Sequence, residues 1–162
     1  MSCLLFGGSP NTGKSGAILR FAHFLVSSPH YVTKGTLPPL PTGQNHPKDF
    51  LILLNGVDIN GQQITIVVNS ATDDPATINA LKKFCSKHNP NFIISSVRAD
   101  PDPMRPLFFN CMGNFITNND VEIPLAKIHK NSSNWHLIKQ WYEGQIDTVA
   151  KFIIHNQPFL FV

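Results

Sequence analysis

The sequence predicts an α/β fold: a three-layer sandwich whose sheet is mostly parallel, with one antiparallel hairpin. Three observations predict it. Short apolar runs alternate with segments of helical periodicity, the order from which right-handed crossovers build parallel sheets. A glycine-rich turn, Gly7-Gly8-Ser9-Pro10-Asn11-Thr12-Gly13, joins the first apolar run to the first helical segment. Asn60-Gly61 sits between two further apolar runs and is a strong hairpin signal. The 162 residues, 42% hydrophobic and 14% charged, suffice for one core. Residues 1–162 are therefore expected to form a single domain.

Each element has a local reason. Cys3 to Phe6 reads as a buried strand, expected to be central. Ala17, Ile18, Phe21, Phe24 and Leu25 recur at spacings of three and four, so a helix is expected from Lys14 to about Val26, stopping near Ser27-Ser28-Pro29. Residues 33–48 hold Gly35, Pro38, Pro39, Pro41, Gly43 and Pro47 and read as a long loop. Phe50 to Val68 reads as the hairpin. With Asn60-Gly61 as a two-residue turn, Val57 should face Ile64, Leu54 should face Val67 and Leu53 should face Val68.

Asp74 and Pro75 mark a second helix start, with Ile78, Leu81, Phe84 and Cys85 as its apolar face and Asn89-Pro90 as its end. Phe92 to Val97 is the next strand. Asp102-Pro103 starts a short helix that Gly113 could stop. Val121 to Ile128 is a strand candidate, and Pro124 within it suggests an edge or a bulge. Ser132 or Ser133 is expected to cap a long last helix. Its apolar stripe reads Trp135, Ile138, Trp141 or Tyr142, Val149 and Ile153. Phe159 to Val162 could add a short strand.

The glycine-rich turn contains G-x-x-x-x-G-K-[ST], as Gly8, Ser9, Pro10, Asn11, Thr12, Gly13, Lys14 and Ser15, followed by Gly16. The pattern has a mechanical logic. Glycines let successive backbone N–H groups turn inward toward phosphate oxygens. Lys14 supplies a point charge projecting toward the outer phosphates, and the Ser15 hydroxyl is a ligand for Mg²⁺. The following helix directs its N-terminal dipole at the anion. The segment resembles the phosphate-binding loop, or Walker A motif, of the P-loop NTPase superfamily. The resemblance covers about the first 25 residues. It implies a P-loop NTPase-like fold, a nucleoside triphosphate (ATP or GTP) at residues 8–16, and Mg²⁺ as cofactor.

Catalysis would need further groups. A second metal carboxylate usually ends a neighbouring strand. Asn69 stands where the superfamily usually has Asp, so Asp73 becomes the candidate metal acid beside Ser15, while Asp74 reads as a helix cap. Arg98 and Arg105 are candidates for contact with a transferred phosphate, since guanidinium matches phosphate in a bidentate fork. Asp100 or Asp102 could accept a proton from an acceptor hydroxyl. The competing reading of this segment is a proline-rich turn with local ion pairs.

Other classes are disfavoured. Thirteen Lys and Arg against ten Asp and Glu give a net charge of +3, and the basic residues are scattered. Nucleic acid therefore has weak support. No apolar run reaches the ~18 to 20 residues of a membrane span. Cys3, Cys85 and Cys111 form no disulfide framework, and Cys85 and Cys111 read as core fillers. The chain reads as cytoplasmic, without a signal peptide. The seven histidines show no zinc spacing, and no Asn-Lys-x-Asp string marks guanine recognition. The functional expectation is a Mg²⁺-dependent NTPase or small phosphotransferase. The alternative is a nucleotide-sensing module with little turnover. A nucleic-acid-associated or complex-forming subunit ranks last, and oligomeric state is left open.

Overall fold

The structure is a computed structural model, which describes residues 1–41, 47–116, 119–129 and 133–162. In chain order its elements are β1 (Ser2–Gly8), α1 (Lys14–Ser27), β2 (Tyr31–Lys34), β3 (Leu51–Val57), β4 (Gln63–Asn69), α2 (Pro75–His88), β5 (Phe92–Arg98), α3 (Met104–Met112), β6 (Asp120–Pro124) and α4 (Trp135–Ile154). Gly43 in the expected loop, and Ser132 as a cap, lie outside the described residues.

The sheet order is β2-β3-β4-β5-β1-β6. This corrects the expected fold class. The sheet is mixed: β2, β3 and β4 form an antiparallel meander, so two of its five pairings are antiparallel, and the expectation of a mostly parallel sheet with one hairpin does not hold. The parallel pairings are β4 with β5, β5 with β1, and β1 with β6. The difference comes largely from β2, which sequence reading placed partly in a loop. Four residues with Val32 and Lys34 exposed carry no apolar run to announce a strand. β1 is also displaced from the centre, because β5 lies between it and β4.

The hairpin register is shifted by one residue from expectation. Val57 pairs with Gln63, Leu54 with Ile66 and Leu53 with Val67. The Asp58 carboxylate is the cause. Its Oδ1 accepts from the Asn60 and Gln62 N–H groups at 2.9 and 2.8 Å, and the Asp58 N–H donates to the Gln62 carbonyl at 2.9 Å. The loop therefore has three residues, with only Gly61 at positive φ (75°). A three-residue loop ending in a left-handed glycine is the next hairpin solution after the two-residue turn.

Side chains alternate across the strands, so the sheet has a core on each face. Leu4 and Phe6 pack with Ile18, Leu25, Ile146 and Ile154. Cys3 and Leu5 pack with Ile78, Leu81, Phe108 and Met112. Helices α1 and α4 thus cover one face, and α2 and α3 the other. Asp74 caps α2 with a reciprocal box: its Oδ1 accepts from the Thr77 N–H at 2.9 Å. β6 is an edge strand that ends at Pro124, shorter than the expected Val121 to Ile128. The expected strand at Phe159 to Val162 reduces to one bridge, Asp58 with Phe161.

The last helix is turned from its expected orientation. Ile138, Trp141 and Val149 are exposed, while Ile146, Ala150 and Ile154 are buried. The helix carries two apolar stripes, and the sequence reading took mostly the outer one. Asn134 holds its N-cap position without a side-chain cap bond. Among the described residues no helix is long and apolar enough to cross a membrane.

Candidate functional site

Because β1, β4 and β5 run the same way, Gly8, Asn69 and Arg98 end at one edge of the sheet. The loop 8–13 crosses this edge and delivers Lys14 as the first residue of α1. Gly8 permits the tight path. A Cβ there would meet Thr12 Oγ1 at 2.5 Å and the Leu125 carbonyl at 3.1 Å. Gly13, the N-cap of α1, sits at φ 91°, and no side chain caps the helix. The opening N–H groups of α1 therefore have no side-chain cap to satisfy them.

Lys14 does not project outward as expected. It is 7% exposed, and its Nζ donates to the carbonyls of Gly8 and Ser9 at 2.8 and 2.9 Å. Thr12 Oγ1 also donates to the Ser9 carbonyl, at 2.9 Å. Burial, then the nearby Arg98 charge, lowers the Lys14 pKa, with Asp73 and Asp102 pulling the other way. An anion beside Lys14 would oppose this shift and favour its charged form.

Arg98 lies next to this amine. One terminal nitrogen pairs with Asp73 Oδ1 at 2.8 Å, while Nε is 3.9 Å from Asp102 Oδ2. Nε and the other terminal nitrogen, Nη1, are buried and have no hydrogen-bond partner. Such unsatisfied buried donors on a cation are costly, and a phosphate oxygen is a group that would satisfy them. The structure thus brings Lys14, Asp73 and Arg98 together.

Arg105 is differently placed. It grips Glu122 in a fork, at 3.1 and 2.7 Å, and also donates to the Arg98 carbonyl at 2.9 Å. The hydrogen bond to Glu122 raises its pKa further. Asp100 pairs with it at 3.5 Å but is 82% exposed. Asp102 Oδ1 accepts from the Met104 N–H at 2.9 Å and so opens α3.

The other expected metal positions behave as follows. Ser15 Oγ donates to the Ser70 carbonyl at 3.1 Å. Asn69 is buried and donates its amide to the Ala71 carbonyl and to Ser95 Oγ, at 2.8 and 3.1 Å. Thr72 and Ser96 continue this buried polar layer through a 3.0 Å hydroxyl contact. Among the described residues no group of three or more His, Cys, Asp or Glu side chains could hold a metal ion. The donors that fit Mg²⁺ here are one hydroxyl, Ser15, with carboxylates nearby; Mg²⁺ commonly takes one or two carboxylates with water and phosphate oxygens.

Sequence reading missed Asp49, Ser70 and Glu122. Burial, then Asp73, raises the Asp49 pKa, and a hydrogen bond from Ser70 lowers it. Ser70 Oγ accepts from the Phe50 N–H at 2.8 Å and so ties the start of β3 to the end of β4. These partnerships cross the sheet, and no local spacing signals them. Elsewhere, a cleft of about 530 Å³ lined by Met1, Gln62, Asn91 and Pro158 opens at the far ends of the strands, away from Lys14. Cys3 and Cys85 are buried; burial pushes the Cys85 thiol up to about 12 and leaves it inert.

Comparison of the chain with protein-family models, with curated proteins and with solved structures returns no match.

Proposed function

We propose that the chain binds the phosphates of a nucleoside triphosphate between loop 8–15 and Arg98, as a Mg²⁺-dependent NTPase or small phosphotransferase. The proposal rests on the local strand–loop–helix unit, not on the sheet as a whole. The observation that carries it is the buried Arg98 guanidinium, two of whose nitrogens lack partners, close to a buried Lys14 whose pKa is lowered, at an uncapped helix start. All three features are completed by one polyanion. On binding, Lys14 would exchange the Gly8 and Ser9 carbonyls for phosphate oxygens. Ser15 and Asp73 would hold Mg²⁺, which would neutralise charge developing on the transferred phosphoryl group.

A second reading is a nucleotide sensor with little turnover. It is favoured by Asn69, whose uncharged amide is committed to Ala71 and Ser95. Calorimetry with ATP, GTP and their diphosphates, with and without Mg²⁺, tests binding. Lys14→Ala should weaken affinity at least tenfold, about 1.5 to 3 kcal/mol, in a protein that still folds. Unchanged affinity in folded Lys14→Ala would overturn the phosphate reading. Phosphate release with and without nucleoside acceptors then separates enzyme from sensor.

A further inference from the structure

The outward face of α4 does not belong to the phosphate site. Leu137, Ile138, Trp141, Val149 and Phe152 are 44 to 70% exposed along one side of the helix. Gly144, Gln145 and Thr148, also exposed, lie among them, so the stripe has no charged residue. The opposite side is fully used. Ile146, Ala150 and Ile154 are buried, and Arg20 of α1 forks onto Asp147 at 2.8 and 3.0 Å.

The outer stripe is self-complementary. Read outward from Gln145 along the stripe, Trp141 matches Val149 and Ile138 matches Phe152. A two-fold axis through Gln145 of an antiparallel helix pair would bring Trp141 and Ile138 of one copy toward Val149 and Phe152 of the other, an isologous contact. At 100° per residue, these four apolar residues lie within about 40° of Gln145 around the helix, whereas Lys139 and Lys151 lie about 120° to either side and would flank the seam.

The area is also sufficient. With ~150 to 250 Å² for a whole aromatic side chain, the exposed parts of the five residues amount to roughly 500 to 600 Å² per chain. Two copies would bury on the order of 1,000 Å² in total, which meets the lower limit of a specific interface. We propose that the outer face of α4 is a two-fold interface between two copies of this chain, the helices pairing antiparallel about Gln145.

Sedimentation of the full chain from roughly 1 to 100 µM should show a reversible dimer with a micromolar dissociation constant. Trp141→Glu and Phe152→Glu replace residues that are 66 and 70% exposed, so circular dichroism should be unchanged. Each should weaken the dimer at least tenfold. With Cys111→Ala as background, Gln145→Cys should cross-link to itself under mild oxidation. Ile138→Cys should cross-link to Phe152→Cys in a mixture but not to itself. A wild-type chain that stays monomeric, a dimer indifferent to Trp141→Glu, or efficient self-linking of Ile138→Cys would each overturn the proposal. A monomer that floats with phosphatidylcholine–phosphatidylglycerol vesicles would overturn it in favour of a lipid surface.

Discussion

Arg98 and Arg105 stand seven residues apart at the same end of the sheet, and they have opposite environments. Arg105 is saturated: Glu122 takes its fork, the Arg98 carbonyl takes another bond, and Phe109 lies 5.2 Å beneath it. Arg98 is the more buried of the two, at 12% side-chain exposure against 21%, yet two of its nitrogens have no acceptor. A buried cation whose hydrogen bonds are complete holds structure together. One whose bonds are incomplete retains a free-energy cost that a ligand can remove. The comparison separates two residues that the sequence had placed in the same role.

The comparison breaks most visibly at Glu122. Glu122→Ala should leave half-buried Arg105 with only the exposed Asp100 and the Arg98 carbonyl as partners, and should lower stability by about 1 to 3 kcal/mol, below the cost of breaking a fully buried pair because both groups are partly solvated. Thermal unfolding would register this as a fall of several degrees. Nucleotide affinity of the folded variant should hold. A variant as stable as wild type would mean that the Arg105 fork contributes nothing.

Arg98→Ala should do the reverse. Affinity for nucleotide falls tenfold or more, about 1.5 to 3 kcal/mol, while stability changes little because a buried, partly unsatisfied cation is removed along with its ion pairs to Asp73 and Asp102. Calorimetry beside a melting curve reads both quantities. Loss of stability without loss of binding would place Arg98 with Arg105 as a structural residue.

What the sequence made legible follows the range of each interaction. The loop 8–15 is a contiguous pattern, and so is the Asp74 cap, which reaches only to Thr77. The helix–strand order was readable from periodicity. The sheet was not, because β2 carries no apolar run and its pairing with β3 is settled by tertiary contact. The hairpin register turned on one side chain, Asp58, which converts a two-residue turn into a three-residue loop. The Arg105 fork depends on Glu122, brought alongside by β6 pairing with β1. On α4 the period was clear, but two apolar stripes share it, and sequence alone does not say which faces the sheet.

Asp73 offers a smaller effect. It is 57% exposed and pairs with Arg98 at 2.8 Å, so the pair itself contributes on the order of 0.5 kcal/mol. Asp73→Asn should barely change the melting temperature. In an enzyme it should reduce phosphate release more than it weakens binding, because metal charge matters most where phosphate charge develops. Full activity in Asp73→Asn would move the metal acid elsewhere, with Asp100 the next carboxylate to test.

Asp49 gives the smallest and most specific test of the same edge. Burial and the Asp73 carboxylate raise its pKa above the ordinary value of 3.8. The folded state therefore holds the Asp49 proton more tightly than the unfolded chain does. That preference contributes stability fully present below the unfolded pKa and lost as pH rises through the higher folded value. Asp49→Asn removes this titration, so the stability difference between variant and wild type should shift in the variant's favour as pH rises through that window, and level off above it. Asp73→Asn removes the neighbouring negative charge and should lower the Asp49 pKa, moving the window to lower pH. Denaturant unfolding of the three proteins across the acid range reads the effect. An identical pH profile for wild type and Asp49→Asn would show that Asp49 does not share the field of Asp73. The acidic side of the site would then consist of Asp73 and Asp102 against Lys14 and Arg98.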